Sequence, residues 1–127
     1  MQKPTILIIE DDRFSSTMMQ KTLHNENYPT LLAENGAEAL VRLEENDMVQ
    51  ICLLDLNMPI MDGYIFLTEV AKGNRDLRIY ITSCKSQDDF IEHAKKMNVD
   101  TKFICGYFEK PFDFKSIIDK LAKDLTQ

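Results

Sequence analysis

Nothing in this sequence divides it. It has no repeat, no low-complexity tract and no Pro- or Gly-rich linker, with only four glycines and four prolines in 127 residues. That length suits one domain and is short for two, so residues 1–127 read as a single unit. A domain of this size buries roughly two-thirds of its unfolded surface and needs no covalent staples. Cysteines are few: Cys52, Cys84 and Cys105, with no pair at CxxC spacing. An odd count without that spacing fits neither a disulfide framework nor a zinc site. Cys52 sits in an apolar run and reads as a buried thiol, in a reducing, cytoplasmic setting. Long apolar runs are also missing. The first, Ile6 to Ile9, follows Met1-Gln2-Lys3-Pro4 and is too short for a signal peptide. No run approaches the ~20 residues of a membrane span, so the expectation is a soluble, unexported protein. Basic residues are outnumbered, 15 Lys and Arg against 21 Asp and Glu, for a formal charge of −6. An acidic chain gains no affinity from nucleic-acid phosphates or anionic lipid, so direct binding to either is not expected.

The apolar fraction, 44%, is ordinary for a globular protein. Its distribution is more telling. Thr5-Ile6-Leu7-Ile8-Ile9 is continuously apolar, as a strand covered on both faces should be, and Glu10-Asp11-Asp12 ends it. A helix is expected from about Arg13 to Asn25, with Phe14 and Met18 four apart. A second strand fits Tyr28 to Ala33. Asn35 then looks like an N-cap with Glu38 at N3, opening a helix with Ala37, Leu40 and Val41 as its apolar stripe. Gln50 to Asp55 is another apolar run closed by an acid. The breaker-rich loop Leu56 to Gly63 leads to Leu67, Val70 and Ala71 at helical spacing. Leu77 to Thr82 reads as a fourth strand. Ser86 and Asp89 open a helix carrying Phe90, Ala94 and Met97. A fifth strand falls near Ile104 to Phe108, and Asp113 caps a last helix with Phe114, Ile117, Ile118 and Leu121 on one face. Five strand–helix units imply an α/β fold, a parallel sheet with helices on both faces and right-handed crossovers.

In such sheets functional groups gather beyond the carboxyl ends of the strands. Glu10, Asp11 and Asp12 end the first strand, Asp55 the third and Thr82 the fourth, while Lys110 follows the fifth. Carboxylates that close repel one another, and a hard divalent cation relieves the repulsion. Such a metal wants an anionic ligand, and a phosphoryl group fits. Lys110 would add a second positive charge and Thr82 a hydrogen bond. Carboxylates are established nucleophiles toward phosphoryl groups. Each signal alone has a plainer reading: a solvated acidic loop, an N-cap, a turn aspartate, a strand exit. Their weight comes from falling on one edge in the right order.

At these residues the sequence resembles the receiver domain of response regulators, over Thr5 to about Leu125. The resemblance is carried by Ile8-Ile9-Glu10-Asp11-Asp12, by Asp55-Leu56-Asn57-Met58-Pro59-Ile60-Met61-Asp62-Gly63, by Ile81-Thr82-Ser83 and by Tyr107-Phe108-Glu109-Lys110-Pro111-Phe112. It implies a flavodoxin-like, doubly wound sheet of five parallel strands in the order 2-1-3-4-5 with five helices. It implies that Asp55 is the phosphoacceptor. Asp12, Asp55 and the backbone carbonyl of Asn57 would bind Mg²⁺ or another divalent cation directly, and Asp11 through water. Thr82 and Lys110 would contact the phosphoryl group, small Ser83 would leave it room, and Tyr107 would be the aromatic switch. Lys110-Pro111 resembles the family's cis peptide. The implied partners are a sensor histidine kinase or a His phosphotransfer protein as donor and a downstream protein target, with a weak homodimer allowed. The implied role is a phosphoryl-controlled switch that catalyses its own phosphorylation and dephosphorylation, not a conventional enzyme. A phosphorelay shuttle or a receiver module of a larger hybrid kinase is the nearest alternative. One departure concerns Met97 to Gly106, longer than the family usually has, and Cys84 sits two residues beyond Thr82.

Two rivals belong to other classes. A haloacid-dehalogenase-type phosphatase also uses an Asp nucleophile, but wants an acid where Asn57 stands. A flavodoxin-like electron carrier wants a Ser-, Thr- and Gly-rich first loop, whereas Asp11 and Asp12 would repel a phosphate.

Overall fold

A computed structural model describes residues 3–56 and 62–126. The chain runs β1 (Thr5–Ile9), α1 (Arg13–Asn25), β2 (Thr30–Ala33), α2 (Gly36–Glu45), β3 (Val49–Asp55), α3 (Gly63–Ala71), β4 (Arg78–Ser83), α4 (Gln87–Lys96), β5 (Ile104–Glu109) and α5 (Phe114–Leu125). The five strands are parallel, in the order β2-β1-β3-β4-β5. This is the α/β architecture expected.

The central strands are apolar throughout because both faces are covered. Leu7, Ile9, Cys52, Leu54, Ile79 and Ile81 point to one side, where α2, α3 and α4 bring Ala39, Leu43, Phe66, Leu67, Phe90 and Ala94. Ile6, Ile8, Ile51, Leu53 and Tyr80 point to the other, against Met19 and Leu23 of α1 and Ile117 and Leu121 of α5. Successive strand residues therefore feed two separate cores.

Local chemistry places the helix starts. Asp12, Asn35, Asp62, Ser86 and Asp113 each accept a hydrogen bond from a backbone N–H of the first turn. For Asn35 the partner is the Glu38 N–H at 2.8 Å. Three expectations need correction. β2 starts at Thr30 instead of Tyr28. Pro29 has no N–H to give a ladder; its carbonyl instead accepts from the Ile6 N–H at 2.9 Å, and Tyr28 is buried beside the sheet. Phe14 is 74% exposed, and α1 buries Ser16, Met19 and Leu23 instead. Val41 and Met97 are exposed as well, since Ala39 and Leu43 in α2 and Phe90 and Ala94 in α4 face the core.

The long segment before β5 is used up in turns and a bulge. Asn98 takes a left-handed φ of 57°, a conformation Asn tolerates. The Val99 N–H returns to the Ala94 carbonyl at 2.9 Å. Val99 and Phe103 pack against the first core. The β4–β5 register then shifts, Ile79 facing Ile104 and Tyr80 facing Gly106. A Cβ on Gly106 would stand 2.8 Å from Tyr80 Cδ1, so the bulge brings a bare backbone against that ring.

Tyr80 is fully buried, and its hydroxyl donates to Asp124 Oδ2 on α5 at 2.6 Å. Asp124→Ala strands that hydroxyl in the core. A loss of about 1–3 kcal/mol is expected in urea unfolding, as for an unsatisfied buried polar group. Tyr80→Phe in the same background should recover most of it.

Candidate functional site

Parallel pairing sets the site. Ile9 pairs with Leu54, so Glu10 follows β1 beside the end of β3. Asp55 pairs with Thr82, and Ser83 with Glu109. The Lys110 N–H then donates to the Ser83 carbonyl at 2.7 Å, and the Leu56 N–H to the Thr82 carbonyl at 3.2 Å. Four segments remote in sequence thus meet at one sheet edge. The Lys110–Pro111 peptide is cis.

Asp55, Thr82 and Ser83 are buried here. Lys110 Nζ lies 3.3 Å from Asp55 Oδ1 and 3.5 Å from Glu10 Oε1. Burial alone would lower the Lys110 pKa, but Asp55 and then Glu10 outweigh it and hold the ammonium charged. Glu10 is pushed up to about 7, first by burial, then by a hydrogen bond with Asp55 and by its negative charge. One ammonium thus faces two carboxylates, and of the two Glu10 has its proton held more tightly than an ordinary glutamate.

Oxygens of Glu10, Asp11 and Asp55 lie within 4.8 Å of one another, with Asp11 exposed and Asp55 buried. This all-carboxylate donor set suits a hard divalent cation and would not select a soft one. Asp12 faces differently. Its Oδ2 accepts from the Ser15 hydroxyl at 2.6 Å and the Ser15 N–H at 3.3 Å, holding its pKa below the usual range, the hydroxyl being the larger cause. The geometry therefore adds Glu10, already seen at the end of the first strand, to the acids grouped around a metal position, and engages Asp12 as a helix cap. The clue was Ser15, three residues past Asp12 at capping distance. Asn57 lies outside the described residues.

The loop returns to α3 at Asp62, whose Oδ1 accepts from the Ile65 N–H at 2.9 Å. Gly63 then leans on the residue after Asp55: a Cβ there would sit 2.8 Å from Leu56 Cα and 2.7 Å from Leu56 Cδ2. Gly63→Ala must move backbone. A loss of about 1–3 kcal/mol is expected by thermal denaturation, as for overpacking, together with shifted amide resonances at Asp55 and Leu56.

Tyr107 stands on β5, half-buried, its hydroxyl donating to the Lys85 carbonyl at 2.8 Å. Cys84 is exposed and Cys52 buried. Beside Thr82 and Lys110 a cavity of about 250 Å³ opens between α1 and α5, walled by Met19, Phe112 and Phe114. A small group can therefore reach the lysine without displacing the sheet.

Comparison with known proteins agrees with this geometry. Residues 6–122 match the response regulator receiver domain family. The chain is 32% identical to Sporulation initiation phosphotransferase F of Bacillus subtilis, covering 98% of this chain and 96% of that protein. It is 28% identical to Chemotaxis protein CheY of Halobacterium salinarum, covering 95% and 96%. Among solved structures, chemotaxis protein CheY4 of Vibrio cholerae superposes with a TM-score of 0.80 at 21% identity, covering 94% of this chain and 97% of that one. Response regulator protein TrrA of Thermotoga maritima, solved in complex with Mg²⁺-BeF, gives 0.78 at 25% identity, covering 95% and 98%. A buried aspartate paired with lysine at the end of β3, on a five-stranded sheet of this order and in a sequence matched along nearly its whole length, has one reading: the chain belongs to the response regulator receiver family, the phosphoreceiver module of two-component signalling.

Proposed function

We propose that Asp55 accepts a phosphoryl group from a phosphohistidine donor in a divalent-cation-dependent reaction, and that the acyl phosphate switches the surface a partner reads. The observation carrying this is the buried Asp55 carboxylate, 3.3 Å from Lys110 Nζ and grouped with Glu10 and Asp11. An Asp55 oxygen attacks phosphorus in line, the P–N bond breaks and the imidazole leaves with its electron pair. Lys110 faces the negative charge on the transferring group. Thr82, paired with Asp55 across the β3–β4 ladder, donates its hydroxyl to the new phosphoryl oxygens. Ser83 leaves them room. A Mg²⁺ or other divalent ion, held by Asp11, Asp12, Asp55 and Asn57 with Glu10 close by, would neutralise charge on the phosphoryl oxygens. Tyr107 follows Thr82, and hydrolysis of the acyl phosphate restores Asp55.

Turning such a switch from 1:99 to 99:1 takes about 5.5 kcal/mol of differential interaction. Charge-assisted contacts from Lys110 and Thr82 are of the right size to supply several kcal/mol of it. Receiver domains act with histidine kinases, phosphotransfer proteins and downstream effectors. The stand-alone relative in Bacillus subtilis, named a phosphotransferase, favours a relay shuttle as the second reading.

Incubation with Mg²⁺ and acetyl phosphate should add one phosphoryl mass to the intact protein, and a chelator should prevent it. Absence of the added mass under saturating donor would sink the proposal, provided that a short-lived product is looked for at early times.

A further inference from the structure

The cavity between α1 and α5 has a polar end and an apolar body. Its polar side chains, Glu10, Ser15, Thr82 and Lys110, belong to the sheet edge that carries Asp55. Its floor lies deeper, at Ile8 and Leu53, both buried. Met19 of α1 walls it together with Phe112 and Phe114, whose rings meet edge to face with centroids 5.7 Å apart. At about 250 Å³ the space exceeds the ~150 Å³ of an apolar protein cavity that takes up benzene.

Strand alternation ties this space to the reacting carboxylate. Leu53 faces α1 and α5, so Asp55, two residues on in β3, stands on the same face. Thr82 does too, two residues beyond Tyr80 in β4. Lys110 Nζ lies 3.3 Å from Asp55 Oδ1, and Lys110 also lines the cavity. A phosphoryl group held by Asp55, Thr82 and Lys110 therefore stands at the mouth of a space whose walls are carbon. Water against such walls makes few hydrogen bonds, and an apolar group that displaces it gains affinity. A concave, mainly apolar space with its polar groups gathered at one end has the character of a small-molecule site.

Resting on the receiver chemistry proposed above, we infer that the cavity is a subsite for the leaving group of small acyl phosphates, and that it favours an aromatic acyl group over acetyl. Met19, Phe112 and Phe114 are its specificity-determining residues. In the step, an Asp55 oxygen attacks phosphorus, the bond from phosphorus to the acyl oxygen breaks, and the aromatic carboxylate leaves with the electron pair.

The test has a binding arm and a transfer arm. Phenyl phosphate and methyl phosphate carry the same head, so with Mg²⁺ present the ratio of their affinities reads the cavity alone. Titration followed by methyl resonances should show phenyl phosphate binding at least about tenfold tighter, as burial of five further carbons implies, with shifts at Ile8, Met19 and Leu53. Met19→Trp narrows the cavity and should bring the ratio close to one. In the transfer arm, benzoyl phosphate should reach half its maximal rate of labelling wild type at about one-tenth of the concentration that acetyl phosphate needs. Equal affinity of the two phosphates for wild type overturns the inference, whatever the variant does, and leaves the cavity to a side chain of a docking protein. An unaltered ratio in folded Met19→Trp overturns it too, as does labelling by acetyl phosphate that benzoyl phosphate does not better. Labelling by neither acyl phosphate would overturn the receiver proposal and this inference with it.

Discussion

Asp55→Asn is expected to take up no phosphoryl group from acetyl phosphate and Mg²⁺ under conditions that label the wild-type chain. An amide of nearly identical shape fills the same buried position but offers no anionic oxygen to attack phosphorus. The substitution is informative only if the fold survives, and the surrounding charges say that it will. Asp55 shares Lys110 with Glu10, which lies 3.5 Å from the ammonium and keeps it partnered. The loss of about 3–5 kcal/mol that follows when a buried charge is left alone is therefore not expected. Glu10 should respond instead. Its pKa of about 7 owes its second and third causes to Asp55, after burial, so Asp55→Asn should lower it. Intact-protein mass spectrometry reads the first effect, and carbon-13 titration of the Glu10 carboxyl reads the second. Labelling of the mutant equal to wild type would remove Asp55 from its assigned role.

Metal-free protein should lose stability as pH rises from about 4.5 to about 7, and a divalent ion should bind more tightly over the same span. Both effects come from Glu10, whose carboxyl is raised from 4.5 to about 7 in the folded chain. Between those values the folded state holds a proton that the unfolded state has released. Stability contributed by Glu10 is thus complete below about 4.5 and lost as pH passes 7. Asp12 and Asp124, whose pKa values are depressed, act with the opposite sign and at lower pH. The comparison that isolates Glu10 is wild type against Glu10→Gln, melted in chelator across this range. The wild-type slope should vanish in the mutant. A cation held beside Glu10 disfavours its protonated form, so Mg²⁺ affinity should rise with pH below 7, by up to about tenfold per pH unit, and then level off. Proton release on binding, measured by calorimetry in buffers of different ionisation heat, should approach one per ion near pH 6 and fade above 8. A flat affinity profile would show that the ion leaves the Glu10 proton in place.

Much of this was open to reading in the chain, and the misses share a cause. Residues that act locally announced themselves. Asn35 and Ser86 cap their helices by a single side-chain contact to the next turn. β1 ends where Ile9 gives way to Glu10, at the close of its apolar run. Residues whose fate depends on rotation about a helix axis did not. Phe14 and Met18 share the spacing of a buried stripe, yet the sheet takes Met19 and Leu23. Only the placement of α1 against β1 and β2 decides between them. Strand order was not legible from pattern either, since every central strand is equally apolar; it came through resemblance. At the site, the acids on the sheet edge were visible, but not how they divide the work. Asp12 turns to Ser15 and Glu10 to Lys110, a difference set by side-chain direction at neighbouring positions.

The order β2-β1-β3-β4-β5 also makes the chemistry a test of completeness. The carboxylate comes from the third strand and its counter-charge from just past the fifth. A fragment ending between α4 and β5 would keep four strands and lack Lys110, and so be unable to receive the signal. Two complementary fragments split between α4 and β5 should each be inert when alone and regain the reaction on mixing, so that recovered labelling would report docking of the last strand directly.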